Sequence, residues 1–471
     1  MKKICIICEG SYPYVTGGVS GWVDQLIRMN TEYEFYVVAL IPNREFAKLK
    51  YKIPDNVLKI KNIVLNNYEV LEGYVDFKAR FDEDFDIKSR VKKIFDFKKL
   101  KEEELLETID YFSQFTKEEH IEIVLNSSFW EGIAEYYKER GFEKSLNKYY
   151  WTYRNLFLNL ISLGIENIPK ADLYHSISTG YAGVLTSLIN YRGEGKTLIT
   201  EHGIYSRERE EDIISSTWID NKFKEEWIGF FNSMCSAAYK YSDMVVTLFE
   251  YNREYQILHG ANRKKTFVVP NGVDVEAYSK IKKYKKDTFS IGSVLRIVPI
   301  KDVKMMIKGF KIALITIKNA HLYLIGPTDE DEEYYKECLE LVEELDLQDY
   351  VTFTGRVNVK EYYEFLDIFL LTSVSEGQPL SILEAMSSGI ACIATDVGNC
   401  KDMLLEKKEI GEGGIIIPPT SYTALAEAII DLYKNIDKRE RMSKNNLKIA
   451  KKYYRKEDFE KAYQYIYKSL I

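Results

Sequence analysis

Two stretches of the chain alternate continuous apolar runs with segments whose apolar residues recur at helical spacing. In the first stretch, KICIIC and EFYVVALI are strand-like, and GVSGWVDQLIRM between them has helical periodicity. From about residue 287 the alternation starts again, with the apolar runs FSIGSVL, HLYLIG, YVTFTG, DIFLLTS, IACIATD and GGIIIPP. Buried parallel strands have such uninterrupted runs because helices cover both faces of the sheet. The pattern predicts an α/β fold with two successive Rossmann-like, doubly wound domains.

The stretch from about residue 68 to residue 165 has a different character. It is rich in lysine, glutamate, tyrosine and phenylalanine, and strand-like apolar runs are replaced by helical spacing. We therefore expect a mostly helical insertion in the first domain. His120 lies in this stretch within KEEHIEIV, and we expect it at the surface rather than as a ligand.

The domain limits follow from the places where the pattern changes. Pro270-Asn271-Gly272 has the composition of a turn, and the lysine-rich SKIKKYKKD after it is typical of a solvated linker. We therefore predict a first domain over residues 1–280 and a second domain over residues 287–455.

Composition narrows the functional classes. The chain has 471 residues, 46% hydrophobic and 29% charged, which is ordinary for a globular protein of two domains. Its net charge of −7 argues against a nucleic-acid partner. There is no apolar run of about 20 residues, and MKKICIICEG is too short for a signal peptide. The six scattered cysteines, including Cys5 and Cys8 in the first strand, are expected to be structural thiols, and we expect a cytoplasmic location.

The most informative segment is SVSEGQPLSILEAMSSGIACIATD, residues 373–396. Glu376 lies in a loop, and Glu384 falls within the first two turns of the helix that follows, so both carboxylates can face one cleft. The N–H groups at this helix start favour phosphate; the loop and helix start comprise Gly377, Gln378, Pro379 and Leu380. Carboxylates bind sugar hydroxyls well, so a nucleotide sugar fits this layout. A helix cap with an exposed glutamate is equally compatible with the spacing alone.

The motif E-G-x-P-x-x-x-L-E-A-M resembles the donor-site motif of the retaining glycosyltransferases of family 4. GSVLRIVPIKD, LIGP, TFTGRV and PNGVD are similar to further segments of that family and occur in its order. GSYPYVTGGVSGWVDQL resembles its glycine-rich acceptor-side loop. The sequences of these segments are more similar still to the Pel exopolysaccharide glycosyltransferases, the PelF-like group. The resemblance implies the GT-B fold, in which two Rossmann-like domains face a central cleft, and a crossover helix at 456–471 that packs on the first domain.

The resemblance also implies roles for individual residues. Arg296 and Lys301 would neutralise the leaving diphosphate, so we expect no metal and no cofactor. Glu376 and His202 would contact the donor sugar, and Glu384 the ribose. Gly355, Arg356 and Val357 would lie beside the nucleotide base. Gly17 and Gly18 would form the loop on the acceptor side or at the diphosphate. Glu201 and Arg207 would lie next to His202, and their roles are open. The acidic clusters Asp82, Asp84 and Asp86, and Asp329 and Asp331, are expected to be solvated.

The resulting hypothesis is a retaining glycosyltransferase that moves a sugar from a UDP-sugar donor to a growing exopolysaccharide or other glycan acceptor. Glucose is the first choice of sugar and an N-acetylhexosamine the second. One alternative is a GT-B UDP-sugar hydrolase or epimerase, against which the spacing of the two glutamates argues. Another is a non-catalytic nucleotide-sugar-binding subunit of a polysaccharide synthase complex. For the protein itself we expect, besides the donor and acceptor, a membrane polysaccharide synthase complex as a partner and recruitment to the inner face of the membrane. A dehydrogenase is disfavoured because no G-x-G-x-x-G follows the first strand.

Overall fold

The structure is a computed structural model. It describes residues 1–65, 85–97, 100–141, 146–217 and 219–471.

The chain divides into two compact units. The first comprises Met1–Val268 together with Tyr463–Ile471, and the second comprises Val269–Ala462. The division therefore falls earlier than the limits of 280 and 287 that the lysine-rich linker suggested. The reason is packing, since Val273 and Val275 belong to an apolar cluster of the second unit and Val273 also forms a β-bridge with Arg455.

In its described residues, the first unit contains a parallel sheet of seven strands in the order β3-β2-β1-β4-β5-β6-β7. The strands are β1 (Lys2–Glu9), β2 (Tyr33–Ile41), β3 (Val57–Val64), β4 (Leu173–Ser176), β5 (Lys196–Glu201), β6 (Met244–Thr247) and β7 (Thr266–Val268). Five consecutive buried residues in β1 explain its unbroken apolar run.

Helices of the first unit cover this sheet and form the insertion. The helices are α1 (Gly18–Met29), α2 (Phe85–Phe95), α3 (Glu102–Phe112), α4 (Lys117–Leu125), α5 (Ser127–Glu139), α6 (Leu146–Ser162), α7 (Tyr181–Tyr191), α8 (Tyr205–Ser215), α9 (Lys224–Lys240) and α10 (Glu250–Leu258). The described part of the stretch between β3 and β4 is thus helical, and its aromatic rings join one core with the sheet. His120 is fully buried in this core, contrary to expectation, and its Nε2 lies 2.7 Å from the carbonyl oxygen of Phe112.

The second unit, in which every residue is described, has a six-stranded parallel sheet in the order β10-β9-β8-β11-β12-β13. The strands are β8 (Phe289–Val294), β9 (Ala320–Ile325), β10 (Val351–Phe353), β11 (Ile368–Leu371), β12 (Ala391–Thr395) and β13 (Gly414–Ile417). This is the doubly wound strand order, in which ligands bind outside the carboxyl ends of the strands where the order reverses, here between β8 and β11.

Helices lie on both faces of the second sheet. They are α11 (Val275–Ser279), α12 (Val303–Thr316), α13 (Glu332–Glu344), α14 (Val359–Tyr363), α15 (Leu380–Ser387), α16 (Cys400–Leu405), α17 (Tyr422–Lys434) and α18 (Ile436–Tyr453). The last helix, α19 (Lys456–Leu470), ends in residues of the first unit. There the hydroxyl of Tyr467 lies 2.9 Å from His175 Nδ1 and that of Tyr463 lies 3.0 Å from Thr200 Oγ1, so these aromatic residues serve packing.

All six cysteines are buried free thiols. Burial raises the pKa of Cys8 to about 12 and that of Cys5 further still. Thiols with such pKa values are neutral and poor metal ligands, which agrees with a structural role for C-x-x-C in β1.

Candidate functional site

Two segments of the second unit that are far apart in sequence meet at the switch point of its sheet. One is the turn after β8 that ends at Lys301, and the other is the loop after β11. The hydroxyl of Thr372 donates to the carbonyl oxygen of Lys301 at 2.9 Å, and the N–H of Val374 donates to that of Ile300 at 2.9 Å. Asp302 follows in the left-handed region with φ of 44° and caps α12. These bonds hold Lys301 against the loop that carries Glu376.

Lys301 and Glu376 form an ion pair in this loop. Lys301 Nζ lies 2.5 Å from Glu376 Oε1, and their side chains are only 18% and 12% exposed. The hydroxyl of Ser373 donates to the same oxygen at 2.6 Å. Among the described residues, no side chain or N–H group donates to the other oxygen, Oε2. One carboxylate oxygen is therefore fixed by the protein while the other can accept a bond from a ligand.

The loop around Glu376 is held in place by hydrogen bonds that its backbone carbonyl oxygens accept. The N–H of Asn399 donates to the carbonyl oxygen of Gly377 at 2.9 Å, and Thr395 Oγ1 donates to that of Ser373 at 2.6 Å. Gly398 lies close beneath with φ of +52°, where a Cβ would come within 2.2 Å of the Glu376 carbonyl oxygen. A side chain at Gly398 would push the loop out of position.

The N–H groups of the loop form no bonds to the described residues. This holds for Gly377, Gln378 and Leu380, which precede or begin α15. Pro379, included in the predicted anion site, has no N–H group and cannot donate. The remaining N–H groups at a helix start suit a phosphate or another anion.

Glu384 lies on α15, about one turn after the helix begins, and is half-buried. The hydroxyl of Tyr363 donates to its Oε2 at 3.2 Å, and Tyr278 also hydrogen-bonds to this carboxylate. Burial raises the pKa of Glu384 above its usual value, and the two tyrosine hydroxyls act against that rise. The carboxylate is thus oriented by neighbouring hydroxyls, and a carboxylate in this state can also accept ligand hydroxyls.

Two arginines at the carboxyl edge of the same sheet pair with the acidic run after β9. Arg296 Nη1 lies 2.9 Å from Glu330, and Arg356 Nη2 lies 3.1 Å from Asp329. Arg296 is 43% exposed and Arg356 is 57% exposed, so these ion pairs contribute little stability and can exchange for a ligand. Asp331 caps α13, while Gly355 has φ of +66° and Val357 is exposed.

The first unit contains the other predicted residues, and the histidine lies in an aromatic setting. His202 follows β5, and its ring meets the ring of Trp22 edge-on, with 4.6 Å between centroids. His202 Nε2 is buried and has no hydrogen-bond partner in the described chain. Burial lowers the pKa of His202 to about 4. The imidazole is therefore neutral near pH 7, and its Nε2 can form one hydrogen bond with a ligand.

Glu201, whose role the sequence leaves open, is held by the protein itself at the end of β5. Glu201 is 1% exposed, and its carboxylate accepts bonds from donors on three helices and on the loop before α7. The donors are Thr179 Oγ1 at 2.6 Å, Tyr239 OH at 2.7 Å, Gln256 Nε2 at 2.8 Å and Tyr205 N at 3.0 Å. With both oxygens occupied, Glu201 fixes the end of β5, and this holds the backbone that carries His202.

The glycines at the start of α1 are not required by packing against the described residues. A Cβ at Gly17 or Gly18 would meet nothing within 4 Å. Arg207 is exposed on the first turn of α8. A ligand-binding role for these three residues stays a prediction.

His202 also gives the first unit a testable pH dependence. Its unfolded pKa is near 6.5 and its folded pKa is about 4, so the unfolded chain binds more protons between these values. Stability that His202 contributes above pH 6.5 is lost as the pH falls. Between pH 7 and pH 5 we expect the difference in unfolding free energy between wild type and His202→Asn to shrink by about 2 kcal/mol. Urea unfolding at both pH values measures it, and a difference that does not change with pH would contradict the burial of His202.

No group of three or more His, Cys, Asp or Glu side chains is placed to hold a metal ion among the residues that the structure describes. Asp82, Asp84 and the side chain of Asp86 lie outside the described residues. None of the described helices is long and apolar enough to cross a membrane.

Several residues of the site escaped prediction from sequence. Ser373, Tyr278, Tyr363 and Asn271 all hydrogen-bond to the predicted glutamates or to their loop. The proximity of Ser373 to Glu376 in sequence was the one available signal. The others come from distant segments, and their residue types are common in any fold.

Two family models match successive parts of the chain. Residues 274–449 match "Glycosyl transferases group 1", and residues 2–264 match a domain of unknown function, DUF3492. N-acetyl-alpha-D-glucosaminyl L-malate synthase of Bacillus anthracis is 28% identical over 173 residues, 36% of this chain and 43% of that protein. The capsular polysaccharide biosynthesis glycosyltransferase CapM of Staphylococcus aureus is 27% identical over 195 residues, 38% of this chain and 47% of its own. The chain spans less than half the length of these relatives.

Solved structures with the same architecture match along the whole chain. Sucrose-phosphate synthase from Thermosynechococcus elongatus has a TM-score of 0.62 at 16% identity and covers 100% of this chain and 99% of its own. HepE of Anabaena in complex with UDP has a TM-score of 0.62 at 14% identity with full coverage of both chains. These likenesses establish the two-domain GT-B fold predicted from sequence. The DUF3492 model matches more than half of the chain, so the chain belongs to that family, and its residues 274–449 form a region similar to glycosyl transferases group 1.

Proposed function

We propose that the protein is a retaining glycosyltransferase that moves a sugar from a UDP-sugar donor to a glycan acceptor. The observation that carries the proposal is the Lys301–Glu376 pair, in which one carboxylate oxygen is held at 2.5 Å from the lysine and the other is left for a ligand. A cation beside a carboxylate at the sheet's switch point matches a donor with a diphosphate next to a sugar.

The chemistry of the reaction explains what these groups would do. Negative charge grows on the diphosphate as its bond to the sugar breaks, and preplaced cations and N–H groups stabilise that charge. Lys301 and the N–H groups of Gly377, Gln378 and Leu380 supply them, and Arg296 adds a guanidinium once it leaves Glu330. Glu376 Oε2 accepts a bond from a sugar hydroxyl. No metal is part of this proposal.

Glucose is the sugar we propose first. HepE, which shares the fold, has been solved with UDP-glucose, and this supports the choice. An N-acetylhexosamine is second. For the acceptor we propose a growing exopolysaccharide of the Pel type, because the sequence resembles the Pel glycosyltransferases. We also propose that the protein acts together with a membrane polysaccharide synthase complex.

One assay separates this proposal from its alternatives. Purified protein is incubated with each UDP-sugar, with and without an oligosaccharide acceptor, and UDP release and thermal stabilisation are measured. A transferase releases UDP faster with acceptor, and a retained anomeric configuration in the product, read by NMR, marks the retaining reaction. A rate of UDP release that is the same with and without acceptor would favour a hydrolase. Stabilisation by UDP-sugar with no turnover on any acceptor would favour a non-catalytic subunit.

Glu384 should matter for the nucleotide rather than for the sugar. Its carboxylate is oriented by Tyr363 and Tyr278, and we place it on the ribose hydroxyls. Losing a charge-assisted hydrogen bond costs about 1.5–3 kcal/mol, so Glu384→Ala should weaken UDP binding at least tenfold in calorimetry. Glu427→Ala, which changes an exposed glutamate on α17, is the matched control. Unchanged UDP affinity in Glu384→Ala would remove Glu384 from the site.

A further inference from the structure

Two buried side chains tie the segment that begins the second unit to the loop of the candidate site. The N–H of Asn271 donates to Gln378 Oε1 at 2.6 Å, and Asn271 Nδ2 donates to the carbonyl oxygen of Gln378 at 3.3 Å. Asn271 is 5% exposed and Gln378 is 6% exposed. The pair therefore joins residues 107 positions apart within the core of this unit.

Asn271 is itself held in place by its neighbours along the chain. A Cβ on Gly272 would come within 2.7 Å of the Cα of Lys456, so the backbones approach closely there. The N–H of Val273 donates to the carbonyl oxygen of Tyr454 at 2.9 Å. Since both following residues are pinned, the N–H of Asn271 is a fixed donor.

The fixed donor determines the orientation of the Gln378 amide. Of the two terminal atoms of the amide, only Oε1 can accept a hydrogen bond from this N–H group, so the other terminal atom is Nε2, which is a donor. Nε2 is buried and has no hydrogen-bond partner in the second unit, all of whose residues are described. Burying an N–H group without an acceptor costs free energy, which an oxygen atom placed there would recover.

We propose that Gln378 Nε2 binds an oxygen atom of the nucleotide-sugar donor and that Asn271 is the positioning residue that presents this N–H group. The proposal rests on the proposed function and adds a side-chain contact to it. The oxygen belongs either to the diphosphate or to the transferred sugar, since both carry acceptors. Because Nε2 has almost no solvent-accessible area, binding requires a local shift of the loop, which Gly377 permits since it has no side chain to obstruct it.

Two substitutions of Gln378 separate ligand binding from a purely structural role. Gln378→Glu keeps an acceptor for the N–H of Asn271 but replaces the Nε2 donor with an oxygen, and Gln378→Met removes both groups without adding charge. We expect both variants to weaken binding of UDP-glucose about tenfold in calorimetry, and Gln378→Glu also to lower the melting temperature because its carboxylate is buried. Binding should also weaken equally at low and high salt in Gln378→Met, since no charge has changed.

Three probes locate the oxygen. If it lies on the diphosphate, UDP and UDP-glucose weaken together and uridine is unaffected. If it lies on the sugar, UDP-glucose weakens alone. Either result supports the proposal, whereas wild-type affinity for UDP-glucose in both Gln378→Glu and Gln378→Met would overturn it.

The role of Asn271 is tested through Gln378. Asn271→Ala keeps the backbone N–H that orients the Gln378 amide and removes the bond from Nδ2 to the carbonyl oxygen of Gln378, which holds that amide in place. It should weaken UDP-glucose binding by several-fold, and the double variant with Gln378→Met should bind no more weakly than Gln378→Met alone. Additive losses would show that Asn271 acts independently and would overturn its positioning role. If wild-type protein binds neither UDP nor any UDP-sugar, the proposed function itself fails, which is a different outcome from normal binding by the variants.

Discussion

Replacing Lys301 with alanine is expected to lower turnover by about 10²-fold or more, with no requirement for a divalent metal in the wild type. The lysine is only 18% exposed and lies at 2.5 Å from Glu376, so its charge is placed before the reaction starts. A charge fixed in a partly dehydrated site stabilises the leaving diphosphate more strongly than one in water. Its loss should therefore affect the transition state more than the ground state.

The control for this prediction is Lys304, in the first turn of α12. Lys304 pairs with Glu337 at the surface, and Lys304→Ala should leave turnover unchanged because exposed ion pairs contribute little. Arg296→Ala should lower turnover in the same direction as Lys301→Ala. Steady-state kinetics in EDTA completes the test. Activity that disappears in EDTA and returns with Mg²⁺ or Mn²⁺ would contradict the prediction and direct attention to the acidic clusters.

The fold could be predicted from sequence because most inner strands of its sheets are buried on both faces. The strands of the second unit follow the apolar runs FSIGSVL to GGIIIPP, and parallel order follows from the alternation with helices. The domain limit was less accurate, since a lysine-rich segment marks solvation whereas the limit is set by the packing of Val273 and Val275. His120 lies beside Ile121 on α4 among charged residues, and only the tertiary fold shows that its side chain faces the core.

The candidate site was predictable where its residues are adjacent in sequence. Glu376 and the N–H groups before α15 belong to one short segment, so their proximity needed no tertiary information. The bond between Asn271 and Gln378 joins residues 107 positions apart, and neither residue type marks a site. The role of Glu201 stayed open at the level of sequence, since a carboxylate at a strand end resembles a ligand group until its four donors are known.

Glu376→Gln is expected to lower turnover by about 10²-fold while UDP binds within about threefold of the wild type. The variant keeps an oxygen for Ser373 and for Lys301, so the loop should retain its shape. It loses the negative charge that faces the sugar through Oε2. Since the sugar develops positive, oxocarbenium-like character as the bond breaks, a nearby carboxylate stabilises the transition state more than a neutral amide does.

The comparison of UDP with UDP-sugar decides the assignment of the two glutamates. Glu376→Gln should reduce turnover of UDP-glucose and leave the affinity for UDP nearly unchanged. Glu384→Ala should instead weaken the affinity for UDP itself. Glu337→Gln, an exposed partner of Lys304, serves as the control for the loss of one surface charge. Equal weakening of UDP and UDP-glucose by Glu376→Gln would place Glu376 on the nucleotide and would contradict the division. Because Lys301 and Glu376 hold each other, the double variant Lys301→Ala with Glu376→Gln should lose less than the product of the two single losses.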